Sequence, residues 1–283
     1  MKKLGISLLL CLLAACADRQ DRGLVYSSEH DAAIMGGQPV NQESQLQSQL
    51  VYLYIKGENR SFADCTGVYI SNHVILTAAH CVIDLQDQPD RIRISSGIDI
   101  NPRDPKFLSQ SSPALKVVVH PGYRPGQAFK GFDLALVLVS NENQKSHQVI
   151  SLLPTWPEDL YQYDFQISGY GKVLEYNVEE VGPLKLRQTT VQMAESFNNL
   201  PVQVTSASRH LIFDQTQGRG ACSGDSGGPA TVQVGDQIYL VGITSIAANL
   251  KNMNHACSGV SFYTNLYPLR SWVLTETHLL EKN

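Results

Sequence analysis

Charge is scarce in this 283-residue chain: Lys, Arg, Asp and Glu together make up 17% of it, and the formal net charge is -4. No basic excess or basic stripe is available to neutralise phosphates, which excludes nucleic acid as a partner class. Long apolar runs are also missing. The one apolar run near the N-terminus, Ile6 to Leu13, is far shorter than the roughly 20 residues a permanent membrane helix needs, and no later stretch comes closer. Internal repeats and low-complexity tracts are absent, so solenoids and arrays are excluded. Cysteine is sparse, with six in all, and no His/Cys/Asp/Glu cluster carries metal-ligand spacing beyond residues discussed below. Neither a metal nor a cofactor is implied.

The chain is 43% apolar, enough for a sizeable core in one large β domain or two small ones. Lys2 and Lys3 precede the short apolar run, as in an export signal over residues 1–15. That run ends in Leu13-Ala14-Ala15-Cys16, which resembles the lipobox of bacterial lipoproteins and implies lipidation of Cys16 after cleavage. Ala17 follows where an aspartate would alter sorting, so the expected location is the outer membrane of a bacterial envelope. An ordinary secretory cleavage site is the alternative. Residues 16–33 are polar and read as a tether or propeptide. In an exported chain, the four remaining cysteines, Cys65, Cys81, Cys222 and Cys257, read as two disulfides.

From about Leu50 the pattern is one of short β-type runs broken by Gly, Pro, Asn and Asp. Val51 to Ile55, Val74 to Leu76, Arg91 to Ile94, Leu115 to Val119 and Leu134 to Val139 form a first group. Phe165 to Ile167, Leu184 to Met193, Leu211 to Phe213, Val232 to Val234, Ile238 to Ile243 and Phe262-Tyr263 form a second. Ile92 and Ile94 alternate with Arg91 and Arg93, as on a half-exposed strand. Residues 141–157, polar and then proline-bearing, suit a linker between halves, and Leu269 to Leu280 suits a closing helix.

Three motifs carry chemistry. Thr77-Ala-Ala-His80-Cys81 follows a strand. Phe132-Asp133-Leu-Ala-Leu-Val137 puts a carboxylate at the head of an apolar run, where burial demands a partner. Cys222-Ser-Gly-Asp-Ser226-Gly-Gly-Pro229 is the most specific: a serine needs a hydrogen-bonded base to attack, and its glycines let backbone N–H groups converge on one point. Gly224 to Gly228 also fits the G-x-S-x-G elbow of α/β-hydrolases, with Asp236 and His255 in the right order. That fold requires a helix after the serine, whereas Val232 to Val241 reads as a hairpin turning at Gly235-Asp236.

Taken together, in that order and spacing, the motifs resemble the chymotrypsin/trypsin family of serine endopeptidases, whose catalytic triad is a standard template. The resemblance implies an all-β fold of two antiparallel six-stranded barrels with a C-terminal α-helix. It divides residues 34–283 into barrels of about 34–150 and 151–268 and a helix of about 269–281. His80, Asp133 and Ser226 would be the triad, and the N–H groups of Gly224 and Ser226 the oxyanion hole. Cys65 would pair with Cys81 and Cys222 with Cys257, the first closing a loop of a size worth about 3 kcal/mol. Gly169-Tyr-Gly171 resembles the family's Gly-Trp-Gly segment.

Further features follow from the resemblance. Ile34-Met-Gly-Gly37 resembles the start of mature family members, which implies a zymogen cut between Ala33 and Ile34 whose new amine pairs with Asp225. Gly220 would sit at the base of the specificity pocket, with Ser245, Ile246 and Ala247 along its wall. Lacking a carboxylate there, the pocket would favour small or medium apolar side chains before the cut bond. The expected molecule is a monomer acting on protein or peptide substrates, its lipid anchor carried by the precursor. Activation would release the mature domain to the periplasm or outside. A catalytically silent, protease-like binding protein is the alternative, though no triad member is missing.

Overall fold

The computed structural model describes residues 34–57, 62–140, 147–171, 183–197, 200–249 and 257–282. The export signal, the Cys16 lipobox and the tether lie outside them, as does His255. No helix among the described residues is long and apolar enough to cross a membrane.

Six antiparallel strands close into a first barrel. In spatial order they are Leu50–Lys56, Phe62–Tyr69, Val74–Thr77, Ala135–Val139, Ser112–Val119 and Ile92–Ser95, the last pairing back onto Leu50–Lys56. Val74–Thr77 is buried on both faces, so it reads as a continuous apolar run rather than an alternation. One of its faces fills the barrel, and the C-terminal helix Arg270–Lys282 contacts this strand and Ala135–Val139. On that helix Val273, Thr277 and Leu280 are buried, at i, i+4 and i+7, the stripe that a core-facing helix presents. By contrast, Ile92–Ser95 alternates, with both isoleucines inside. Arg91 lies in the 3₁₀ turn before this strand.

The second sheet has seven strands. Arg187–Val191, Phe165–Gly169, Pro229–Val234, Gln237–Asn249, Gly259–Asn265 and His210–Asp214 lie side by side, and Gln38–Pro39 pairs with Arg187 and Gln188. The sheet's far edges meet where Met193 bridges Phe213, supported by Ala194 N–H to the Ile212 carbonyl at 2.8 Å. Six strands therefore curl round to close, with Gln38–Pro39 as a short strap outside. A bulge between Thr244 and Ile246 bends the long strand. The hairpin expected after Ser226 is present: Val234 pairs with Gln237 across a two-residue turn, and no helix follows the serine.

Two expectations need correction. Phe62–Tyr69 is a strand that the sequence does not announce, because Asp64, Thr66 and Gly67 break its apolar pattern; Thr66 is nonetheless buried, its hydroxyl hydrogen-bonded. Residues 34–39, expected with the first barrel, instead have Ile34 in the second barrel's core and Gln38–Pro39 in its sheet. The physical reason is pairing: a two-residue strand has no core of its own and joins whichever edge is open.

Tyr170 ties the halves together. It is fully buried, meets Tyr52 edge-on at 6.1 Å between ring centroids, and donates its hydroxyl to the Gly97 carbonyl at 2.7 Å. A Tyr170→Phe variant should lose about 1 kcal/mol of stability, read as a lower denaturation midpoint at unchanged slope.

Candidate active site

His80 sits in the short helix Ala79–Val82, directly after strand Val74–Thr77. The Cys65–Cys81 disulfide pins that turn to the neighbouring strand Phe62–Tyr69. Asp133 precedes the strand Ala135–Val139, which pairs with Val74–Thr77, so strand register brings the two residues together. The His80 Nδ1 lies 2.7 Å from Asp133 Oδ2, and the His80 backbone N–H donates to Oδ1 at 2.9 Å. Asp133 is wholly buried, whereas the imidazole is 34% exposed and faces outward.

Ser245, expected on the pocket wall, donates its hydroxyl to Asp133 Oδ2 at 2.6 Å. Thr264 donates to the Asp133 backbone carbonyl at 3.1 Å. Sequence reasoning missed both. The available signal was a hydroxyl inside the apolar run Val241 to Ile246, which must find a partner once buried. Burial is the largest influence on the Asp133 carboxyl and would raise its pKa. Hydrogen bonds from the His80 ring and backbone and from Ser245 outweigh it, and the group is held below its ordinary value.

The nucleophile loop hangs on Thr66. Its backbone N–H donates to the Ser226 carbonyl at 2.8 Å, its hydroxyl donates to the Gly224 carbonyl at 3.1 Å, and that hydroxyl accepts from the Tyr170 N–H at 3.1 Å. The Cys81 sulfur lies 3.7 Å from His80 Nε2 and 3.9 Å from the Ser226 carbonyl oxygen, so both residues gather round the same disulfide. Among the hydrogen bonds of the described residues, the His80 ring engages Asp133 and approaches the Cys81 sulfur, and none joins it to the Ser226 hydroxyl. Among the described residues the N–H groups of Gly224 and Ser226 have no protein acceptor, while those of Asp225, Gly227 and Gly228 are all bonded. Cys65, His80 and Cys81 bring potential ligand atoms within 4.8 Å of one another, but the two sulfurs are bonded to each other and neither is a thiolate.

Beside Ser226, Asp225 is fully buried. Its Oδ2 accepts from the Cys222 N–H at 2.9 Å and the Ile34 N–H at 3.2 Å, and Oδ1 accepts from the Gly171 N–H at 2.8 Å. A Cβ at Gly169 or Gly171 would fall 2.3 or 2.6 Å from Oδ1, so the Gly-Tyr-Gly segment is what leaves the carboxylate room. Burial pushes its pKa up to about 6, and the three backbone donors only partly offset this. Ile34 adopts φ of 51°, a left-handed conformation that β-branched residues avoid. Cys222 and Cys257 form the second disulfide, beside Met35 and Ala247.

Two antiparallel β-sheets whose junction holds a buried aspartate bonded to a partly exposed histidine, with that histidine and the serine of a glycine-rich loop both near the Cys65–Cys81 disulfide, define the class of serine hydrolases built on paired β-barrels. Residues 34–273 match the family model for trypsin, so the chain belongs to the trypsin family of serine endopeptidases. It is similar to the CLIP domain-containing serine protease B4 of Anopheles gambiae, 26% identical over 258 residues that span 85% of this chain and 69% of that one. It is likewise similar to the CLIP domain-containing serine protease B15 of the same organism, 23% identical over 240 residues, 78% of this chain and 64% of the other. Bovine coagulation factor XI is 28% identical over 230 residues, 75% of this chain but 33% of its own length. The match thus covers from a third to about two thirds of these relatives.

In the intact chain the folded Asp225 holds its proton where the unfolded chain has released it, so its contribution to stability falls as pH rises from about 4 to about 6 and is level above that. Relative to an Asp225→Asn variant, the full chain should therefore be most stable near pH 3.5 and least above pH 6. Urea midpoints of the two proteins across that range check the sign.

Proposed function

We propose that the chain hydrolyses peptide bonds through an acyl-enzyme, with Ser226 attacking the scissile carbonyl. His80 takes the serine proton as general base and returns it to the leaving amine as general acid. Asp133 orients the imidazole and stabilises it when protonated. The observation that carries this reading is the buried Asp133 carboxylate, hydrogen-bonded at once to the His80 ring, the His80 backbone and Ser245. Held this way, Nδ1 carries the proton and Nε2 is the free base. The unengaged N–H groups of Gly224 and Ser226 supply an oxyanion hole, the term that most lowers the barrier in acyl transfer. Loss of Ser226 or His80 should cut turnover by about 10⁶. A fluorophosphonate probe should label the wild type and not Ser226→Ala; an unlabelled wild type would favour a silent binding protein.

The protein is made as a zymogen cut between Ala33 and Ile34. In the uncut chain Ile34 points only a neutral amide at Asp225. Cleavage turns that nitrogen into an ammonium ion, which pairs with the carboxylate and draws its pKa down. It also removes the φ torsion that costs Ile34 about 1–3 kcal/mol. Breaking such a buried pair costs roughly 3–5 kcal/mol, enough to keep the unpaired form largely inactive. Fully processed Asp225→Ala enzyme should accordingly lose most of its turnover; normal turnover would refute this activation route.

Gly220 and Ala247 bring no carboxylate to the specificity pocket, which supports small or medium apolar side chains before the cut bond and makes self-processing after Ala33 feasible. The enzyme acts as an exported monomer on protein or peptide substrates. Lipidation of Cys16 rests on the leader sequence alone, and the relatives matched are animal proteases that lend it no support. With that anchor, the precursor should fractionate with membranes and the cut form with the soluble phase. A Cys16→Ala precursor that still sediments with membranes would count against the anchor.

A further inference from the structure

Thr66 is wholly buried in strand Phe62–Tyr69 of the first barrel, yet its hydroxyl and N–H engage Gly224, Ser226 and Tyr170, all from the half of the chain that builds the second. The hydroxyl donates to the Gly224 carbonyl at 3.1 Å, and the backbone N–H donates to the Ser226 carbonyl at 2.8 Å. Those are the same two residues whose own N–H groups have no protein acceptor among the described residues. One threonine thus grips, by their carbonyls, both donors of the oxyanion hole. A hydroxyl has a single proton to give. The Tyr170 N–H, 3.1 Å from Oγ1, occupies a lone pair and leaves that proton for Gly224.

The Gly224 carbonyl and the Asp225 N–H belong to one peptide plane, which lies between the two planes that carry the donor N–H groups. Thr66 holds the oxygen of this middle plane, and the Cys222 carbonyl accepts from its nitrogen at 3.1 Å. Gly224, at φ of 91°, has no side chain to restrict rotation, so hydrogen bonds must supply the restraint. The strand itself is fixed against the loop. A Cβ at Gly227 would fall 2.2 Å from the Thr66 carbonyl oxygen, which also accepts from Thr77 Oγ1 at 2.8 Å.

We propose that Thr66 is a positioning residue for the oxyanion hole, its hydroxyl fixing the peptide plane that separates the Gly224 and Ser226 donors. This deepens the peptidase reading and rests on it. Such donors lower the barrier only when already aimed at the forming oxyanion, and a misplacement of about 1 Å costs roughly 100-fold. Without the hydroxyl, the middle plane is held at one end only, and the Gly224 carbonyl and Tyr170 N–H lose their shared partner. The loss falls on the transition state, where the oxyanion forms, and so on kcat rather than KM.

The test compares processed wild type, Thr66→Val and Thr66→Ser, with active sites counted by end-point titration with a fluorophosphonate. Thr66→Val keeps the shape and removes the hydroxyl. Its kcat per titrated site on a peptide amide should fall by about 10- to 100-fold, with KM changed by no more than about 2-fold. A peptide aldehyde, to whose carbonyl carbon Ser226 Oγ adds to leave an oxyanion, should bind more weakly by about the same factor as kcat falls. Thr66→Ala serves should the valine variant not fold, and should show the same split. Thr66→Ser restores the hydroxyl and should recover both readouts to within about 3-fold of wild type. Unchanged kcat and aldehyde affinity in a titratable Thr66→Val or Thr66→Ala, or a Thr66→Ser as impaired as they are, would overturn the role of Thr66. A wild type that does not titrate at all would overturn the peptidase reading itself.

Discussion

Burying the Asp133 carboxylate constrains much of this molecule. An ionised group in a dry interior is tolerable only when its oxygens are met by well-aimed donors, and the donors come from separate parts of the chain. The first barrel contributes the His80 ring and amide, and the second contributes Ser245. Thr264 adds a bond to the same residue's backbone. Satisfying one side chain therefore fixes how the two barrels meet, and the imidazole is oriented as a by-product of meeting that electrostatic demand.

A second buried aspartate, Asp225 beside Ser226, sits under opposite conditions. Among the described residues Asp225 meets backbone N–H groups and no cation, and its pKa rises where that of Asp133 falls. Such divergence between neighbouring carboxyls is how one scaffold gives them different tasks. Asp133 is met by a histidine and a serine, whereas Asp225 is met by the backbone N–H groups of Ile34, Gly171 and Cys222, and Gly169 and Gly171 clear space around its carboxylate.

Much of the site could be read in the sequence because its chemistry is local. Residues around His80 and Ser226 are constrained by what their own backbone must do, so short strings carry the information. The strand grouping was legible in part: Leu115 to Val119 and Phe262-Tyr263 mark stretches of the longer strands Ser112–Val119 and Gly259–Asn265. What escaped is non-local. Phe62–Tyr69 hides because its buried Thr66 is satisfied by partners over 100 positions away, Gly224 and Tyr170. Ser245 has the same character: the resemblance places it along a pocket wall, and only the fold shows that its hydroxyl joins Asp133.

The two ends of the described chain cross over. Residues 34–39 are sewn into the second barrel, although the chain then enters the first; the closing helix, coming out of the second barrel, lies against the first. Each barrel therefore keeps part of its covering in the other's stretch of sequence. Neither half could be excised at the intervening linker and remain whole, and melting either should carry the other with it. For a catalyst whose groups are divided between the halves, that shared fate guards against a state in which the barrels stay folded but drift apart.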